Sequence, residues 1–185
     1  MNNPKITRRY SQALYDFSEE LNVVETIYKD ILYIKKIYDE NPELKIVIES
    51  PIIFFDKKEK IFKSIFSDTI SEVTYKFLRL IIQKRREPQI PGIINQYIQI
   101  YYENHNLKEA YITTAYPISD ELVAEIKNLL EEDKKHTFIM HTQTNPQLIG
   151  GLILRIDDFR IDATILRKIN QLKYEFSQNK YKAAF

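Results

Sequence analysis

The chain has no cysteine. That removes disulfides, thiolate metal sites and a thiol nucleophile together, and it suits a reducing compartment. Glycine is nearly missing as well, with three in 185 residues. So few glycines beside many Leu, Ile, Lys and Glu favour helix over a loop-rich all-β design. There is no excess of one charge: 27 Lys and Arg against 26 Asp and Glu leave +1, so no global field draws in nucleic acid or an anionic membrane. Long apolar runs are absent too. Pro51 to Phe55 and Gly150 to Leu154 fall far short of the ~18–20 residues that cross a bilayer. Met1 to Arg9 holds no apolar signal core and is too short for an organellar transit peptide. The expectation is a soluble protein that stays where it is made.

What is present is helical periodicity. Ile6, Tyr10, Ala13, Leu14, Phe17 and Leu21 fall on one helix face, and Val24, Ile27, Tyr28, Ile31 and Ile34 continue the pattern. Asn41-Pro42-Glu43 reads as a start: an Asn cap, a Pro pre-set for the first position, and an acid at the positive end. Ser50-Pro51 repeats that logic for a short helix. Ile61, Phe62, Ile65 and Phe66 follow, and after Ser67-Asp68 come Val73, Phe77, Leu80 and Ile81. Glu87-Pro88-Gln89-Ile90-Pro91 is expected to stop that helix, because the residue before each Pro is steered from helical angles. Ile93, Tyr97, Ile100 and Tyr101 form one more helix.

Near Asn104-His105-Asn106 the character changes. Glu109 to Thr114 alternates as a strand. Ser119-Asp120-Glu121 opens a helix, with Ile118 and Val123 placed as a staple. His136 to Thr142 is a second strand. Asn145-Pro146 turns the chain into a strand over Leu148 to Ile156, and Asp157-Asp158 makes a tight turn into Phe159-Arg160-Ile161. Ile165, Leu166, Ile169, Leu172 and Phe176 define a closing helix, with a frayed tail from Ser177. The expectation is a helical domain over 1–104 and a smaller α/β domain over 105–185, each with a modest core.

Catalytic constellations are lacking. There is no Gly-x-Ser-x-Gly elbow and no Gly-rich loop opening a helix. Gly150-Gly151 begins an apolar strand, where glycine serves a bulge or a close backbone approach. His136 and His141, five apart on one strand, point to opposite faces and cannot chelate together. Asp157, Asp158 and Asp162 read as a turn pair and a helix-capping Asp. Lys84-Arg85-Arg86 and Lys57-Lys58, the densest basic spots, have acidic neighbours, and a basic last turn complements the helix dipole. The thirteen tyrosines fall mostly at helical core spacing, with no base-stacking strand pattern. No catalytic residue, cofactor, metal or nucleic-acid partner is expected.

Two surface features remain. In Arg9-Tyr10-Ser11-Gln12-Ala13-Leu14-Tyr15, small Ser11 and Ala13 beside aromatics suggest a groove for another apolar helix. The helix through Phe77, Leu80 and Ile81 also carries Leu78 and Ile82. Such a surplus has two readings, burial on all sides or a second, partner-facing stripe.

Arg9 to Leu14 resembles the Arg-Tyr-Ala-x-Ala-Leu opening of F-type ATP synthase delta subunits, the bacterial counterparts of the mitochondrial oligomycin-sensitivity-conferring protein. Ser50-Pro51 is similar to the Ser-Pro before a helix there, and Lys76-Phe77-Leu78 to their Asn-Phe-Leu, with the likeness running through Arg79, Leu80 and Ile81. Leu148-Ile149-Gly150-Gly151 through Asp162 resembles their closing signature, with Asp158 at a usual turn Gly and Ala163-Thr164 at a common Gly-Ser. The likeness spans nearly the whole chain.

The resemblance implies a mainly α protein, an N-terminal six-helix bundle followed by a smaller α/β domain, acting as a non-catalytic stator component in proton-driven ATP synthesis. The first and fifth helices would receive the N-terminal amphipathic helix of an alpha subunit, around Tyr10, Ala13, Leu14 and Phe17 facing Phe77, Leu80, Ile81 and Lys84. The C-terminal domain would hold the C-terminal helices of the peripheral-stalk b subunits, with Arg155, Arg160 and Arg167 as candidate contacts. The chain would be a monomer alone, one copy per complex, at the cytoplasmic face of the bacterial plasma membrane and peripheral through the complex. The alternatives are a helical-bundle adaptor recognising an amphipathic helix in another assembly, and an enzyme with a nonstandard site in the α/β domain.

Overall fold

A computed structural model describes residues 4–50, 52–67, 69–132 and 135–178, with side chains to 175. The fold is mainly helical with one small four-stranded sheet. The chain divides into two compact units, Met1–His105 and Asn106–Phe185.

In the first unit α1 (Pro4–Glu20), α2 (Val24–Glu40), α3 (Pro42–Glu49), α4 (Phe55–Phe66), α5 (Glu72–Gln83) and α6 (Ile90–Asn104) follow one another. α6 packs along α1 and α2, and α4 along α5. The unit's core holds buried Ile93 and Tyr97 of α6, Ile27, Ile31 and Ile34 of α2, Phe62 and Phe66 of α4, and Leu78 and Ile81 of α5.

Several local readings of the sequence change. The core side of α1 is Thr7, Ser11, Leu14, Tyr15 and Ser18, whereas Phe17 and Leu21 remain 47% and 44% exposed. Hydroxyls serve in that core because their hydrogen bonds are made: Ser11 Oγ donates to Thr7 O at 2.9 Å or Ile93 O at 2.8 Å, and Ser18 Oγ donates to Tyr15 O at 2.6 Å. Asn41 does not cap α3 with its side chain. Its Nδ2 instead donates back to Ile37 O at 2.9 Å, closing α2. Ser50 ends α3 rather than opening a helix, and Phe54 precedes α4; Pro51 and Asp68 lie outside the described residues.

The stop of α5 comes before the prolines. Arg85 takes a left-handed φ of 55°, and its N–H and that of Arg86 bond back to Ile82 O and Ile81 O, a turn that ends helices without glycine at some backbone cost. Ile90, before Pro91, is itself helical and opens α6, because proline in a first turn has no intrahelical bond to lose.

The second unit orders its strands β2-β1-β3-β4, from β1 (Leu107–Thr114), β2 (Thr137–Thr144), β3 (Leu152–Ile156) and β4 (Phe159–Asp162). β1 pairs in parallel with β2 and antiparallel with β3, which pairs antiparallel with β4. The parallel pair is bridged by α7 (Asp120–Leu130), capped by Ser119. Ile118, Ile126 and Leu130 pack on the core of Ala110, Ile112, Phe138 and Leu154.

β3 begins four residues later than Leu148, which instead lies in a 3-10 turn over Pro146–Leu148. Ile149 and Gly151 then take positive φ of 64° and 78°, which breaks the strand. A Cβ on Gly151 would collide with Ala163 O, so this glycine answers to close backbone approach. The Asp157-Asp158 turn forms with Asp157 at φ 49°. α8 (Ile165–Gln178) follows β4 without a buried stripe: Ile165, Ile169 and Leu172 are exposed. The Phe176 side chain and the tail from residue 179 lie outside the described residues.

Candidate functional site, an apolar groove between two helices

α5 carries two apolar stripes and α1 one beside its hydroxyl-rich core side, and on each helix an apolar stripe is left outside the unit's core. On α5, Thr74, Leu78, Ile81 and Ile82 are buried, while Val73 and Phe77 are half-buried and Leu80 is 42% exposed. The outer stripes meet in an open trough of about 640 Å3 lined by Tyr10, Ala13, Leu14, Phe17, Leu21, Val73, Lys76, Phe77 and Leu80.

Tyr10 and Phe77 rings are tilted with centroids 6.4 Å apart, and Arg86, beyond the C-terminus of α5, places its guanidinium 5.3 Å from the Tyr10 centroid, within cation–π range. Lys76 Nζ pairs with Glu72 at 2.7 Å on the α5 surface. Its hydrogen bond, with its charge, holds the Glu72 carboxyl below the usual range.

Both walls are fixed from behind. Ser11 can bond α1 to the Ile93 carbonyl of α6. Asp30 of α2, buried, holds the start of α5 by accepting from Ser71 N, Ser71 Oγ and Thr74 Oγ1 at 2.9, 2.6 and 2.7 Å. Arg79 Nε meets Glu59 Oε1 of α4 at 2.6 Å.

Six of the eight residues expected for this groove line it: Tyr10, Ala13, Leu14, Phe17, Phe77 and Leu80. Ile81 does not. It is wholly buried, about 100° round the helix from Leu80, among the core stripe. Lys84 is the residue after α5 and does not line the trough. Ser11 is core rather than groove, and its small size admits α6 closely. Leu21, Val73 and Lys76 are lining residues the sequence reading left out of the site, although the spacing Phe17–Leu21 and Val73–Phe77–Leu80 pointed to the first two.

The basic spots resolve differently from one another. Lys58 is no surface cation: it is buried and bonded to buried Glu87 at 2.7 Å. The histidines have local roles. His105 stacks on Tyr101 at 4.0 Å, His141 stacks on Tyr111, and His136, just before β2, has a buried Nδ1 without a hydrogen-bond partner. Among the described residues no three His, Asp or Glu side chains gather as a metal site. Asp162 does not cap α8 itself. Its Oδ1 accepts from Thr164 N and Oγ1, and Thr164 Oγ1 accepts from Arg167 N.

In the second unit Arg155 and Arg160 are register partners on β3 and β4, and Arg167 on α8 donates to the Asp162 carbonyl at 3.2 Å. Phe159 and Ile161, on the sheet face that also carries Leu154, stay 79% and 59% exposed. Together with Ile165, Ile169 and Leu172 they leave substantial apolar surface uncovered, a mark of interaction sites.

Fold and groove define the class of mainly helical, two-unit proteins with an open apolar trough between two helices. The ATP synthase delta (OSCP) subunit family matches residues 6–176. ATP synthase subunit delta of Salinibacter ruber is 34% identical, over 93% of this chain and 90% of the relative. That of Amoebophilus asiaticus is 31% identical, over 97% and 98%. A chain of the Toxoplasma gondii mitochondrial ATP synthase hexamer shares the fold, with a TM-score of 0.68 at 15% identity over 92% of this chain and 97% of that one. The protein belongs to the ATP synthase delta (OSCP) subunit family, whose members are non-catalytic subunits. No helix among the described residues is long and apolar enough to cross a membrane.

Proposed function

We propose that this chain is the stator adaptor of a rotary F-type ATP synthase, at the cytoplasmic face of a bacterial plasma membrane, one copy per complex. The α1–α5 groove takes the N-terminal amphipathic helix of an alpha subunit in the catalytic head. The second unit holds the C-terminal helices of the peripheral-stalk b subunits, with Arg155, Arg160 and Arg167 among the contacts. So joined, the head cannot turn with the rotor while protons drive ATP synthesis.

The observation that carries this reading is the trough itself. Six residues named by the family resemblance converge on one apolar concavity, wide open and matched to the apolar stripe of a helix. Each Leu or Phe anchor fully buried there contributes ~1.5–3 kcal/mol, so a few supply tight binding. The stalk assignment is supported by the apolar surface left uncovered on β4 and α8.

The test is calorimetric titration of the full chain with a peptide copying the N-terminus of the same organism's alpha subunit. One-to-one, submicromolar binding is expected, weakened by at least ~2 kcal/mol in Leu80→Asp. No binding by a folded chain would leave an adaptor for some other amphipathic helix.

A further inference from the structure

One face of the sheet packs under α7 and the other is open. Across the open face runs a single row given by all four strands: His141, Tyr111, Arg155 and Arg160, each the register partner of the next. Directly paired residues share a face, so these side chains stand side by side.

The β2–β1 end of the row satisfies itself. His141 stacks on Tyr111 at 4.7 Å. Glu109 meets both, accepting from Tyr111 OH at 3.0 Å and lying 3.1 Å from His141 Nε2.

The β3–β4 end does not. Two arginines are direct register partners on neighbouring antiparallel strands, and like charges in that position destabilise the pair. Arg155 lies over the Tyr111 ring at 4.8 Å and has no carboxylate at ion-pair distance among the described residues. Arg160 reaches Asp162 Oδ2 only at 3.6 Å, and the other oxygen of Asp162 is committed to Thr164. Beside the pair lies an open cleft of about 570 Å3, walled also by Thr113, Gln143 and Ile153. Two planar forks carried at paired positions on adjacent strands suit a carboxylate in charge-assisted, bidentate geometry.

We propose that Arg155 and Arg160 form a carboxylate clamp on the open sheet face, which receives an acidic stretch of the stalk segment. This rests on the stalk reading above and sharpens it. Tyr111 positions Arg155 by stacking, and the neighbouring carboxylates fill the clamp's unmet charge. Arg167, turned to the Asp162 carbonyl, stands outside it.

The experiment is calorimetry of the full chain with a synthetic peptide copying the C-terminal helix of the same organism's b subunit. It is repeated with Arg155→Gln/Arg160→Gln, and with a peptide whose Asp and Glu are replaced by Asn and Gln. The expected result is an affinity loss of at least about tenfold from either change, no further loss when both are combined, and weaker binding of the unmodified pair at high salt. Circular dichroism should report an intact fold, since both arginines are exposed. Undiminished binding by the double variant, or losses that add when the changes are combined, would overturn the clamp and leave the stalk reading standing. No binding by the unmodified chain, in a preparation that still binds the alpha peptide, would overturn the stalk reading and the clamp with it.

Discussion

Asp30 on α2 stands at the N-terminus of α5, its Oδ2 accepting from the hydroxyl of Ser71 at 2.6 Å. Ser71 is also the cap of α5, its own oxygen accepting from Thr74 N. One buried carboxylate thus bonds to both hydroxyls of the first turn and to the Ser71 amide, fixing the helix that forms one wall of the groove. Asp30→Ala would strand those donors, and a loss of about 2–4 kcal/mol is expected in urea unfolding. Asp30→Asn keeps an acceptor oxygen and should lose clearly less. Equal losses from the two would mean that charge, not the hydrogen bonds, holds the wall.

Leu80 and Ile81 are neighbours in sequence with opposite duties. Leu80 opens into the groove and Ile81 is fully buried behind it. Leu80→Asp should leave the unfolding midpoint near that of the unmodified chain while abolishing tight peptide binding. Ile81→Ala should do the reverse, costing about 2–4 kcal/mol of stability with affinity falling only as the folded fraction falls. Parallel effects of the two substitutions would place both residues in one environment, against the burial seen here.

The contrast also marks where the sequence was readable. Periodicity located α1 and its apolar face but not what that face meets, because an apolar stripe looks alike whether it meets the protein's own core or a partner. The true core side carries Thr7, Ser11 and Ser18, which hydropathy scores as surface, and only tertiary partners such as the Ile93 carbonyl make their burial affordable. In α5 the surplus of apolar positions left two readings open; Leu78 and Ile82 prove to be buried, and it was the family resemblance, not periodicity, that put Phe77 and Leu80 in a groove. Lys58 escaped for the same reason as Ser11: its partner Glu87 is distant in sequence, and no local pattern announces the pair. α8 was legible as a helix because Ile165, Ile169 and Leu172 repeat at helical spacing, but spacing does not say what covers them, and among the described residues they stay exposed.

Gly151 ties the start of β3 to the start of α8. Its φ of 78° disfavours any side chain, and an added Cβ would meet Ala163 O and Thr164 Cα. Both obstacles are backbone, which cannot swing away as a side chain would. Gly151→Ala should cost about 1–3 kcal/mol, and hydrogen exchange should quicken at the Thr164 and Arg167 amides that begin α8. Gly150 is different: its added Cβ would meet only the tip of the Ile165 side chain, which can rotate. Gly150→Ala should therefore be the milder change, and a reversal of that order would contradict the geometry.

Buried tyrosines make the bundle sensitive to alkali. Burial, with the nearby Glu19 carboxylate, pushes the Tyr15 hydroxyl up to about 12. Burial also raises Tyr97, and burial with a bond to Glu25 raises Tyr101. In the unfolded chain each ionises near pH 10. A folded value above the unfolded one means stability is complete below about pH 10 and drains away as pH rises toward the folded value, because the unfolded state then loses protons the native state keeps. Urea midpoints should accordingly be flat from pH 7 to 9 and fall steeply above 10. Tyr15→Phe should soften that fall while lowering stability at neutral pH only slightly. In absorbance at 295 nm, the signal of these three hydroxyls should appear only with unfolding. A single transition near pH 10 for all thirteen tyrosines, with the fold intact, would show that these hydroxyls are not buried as described.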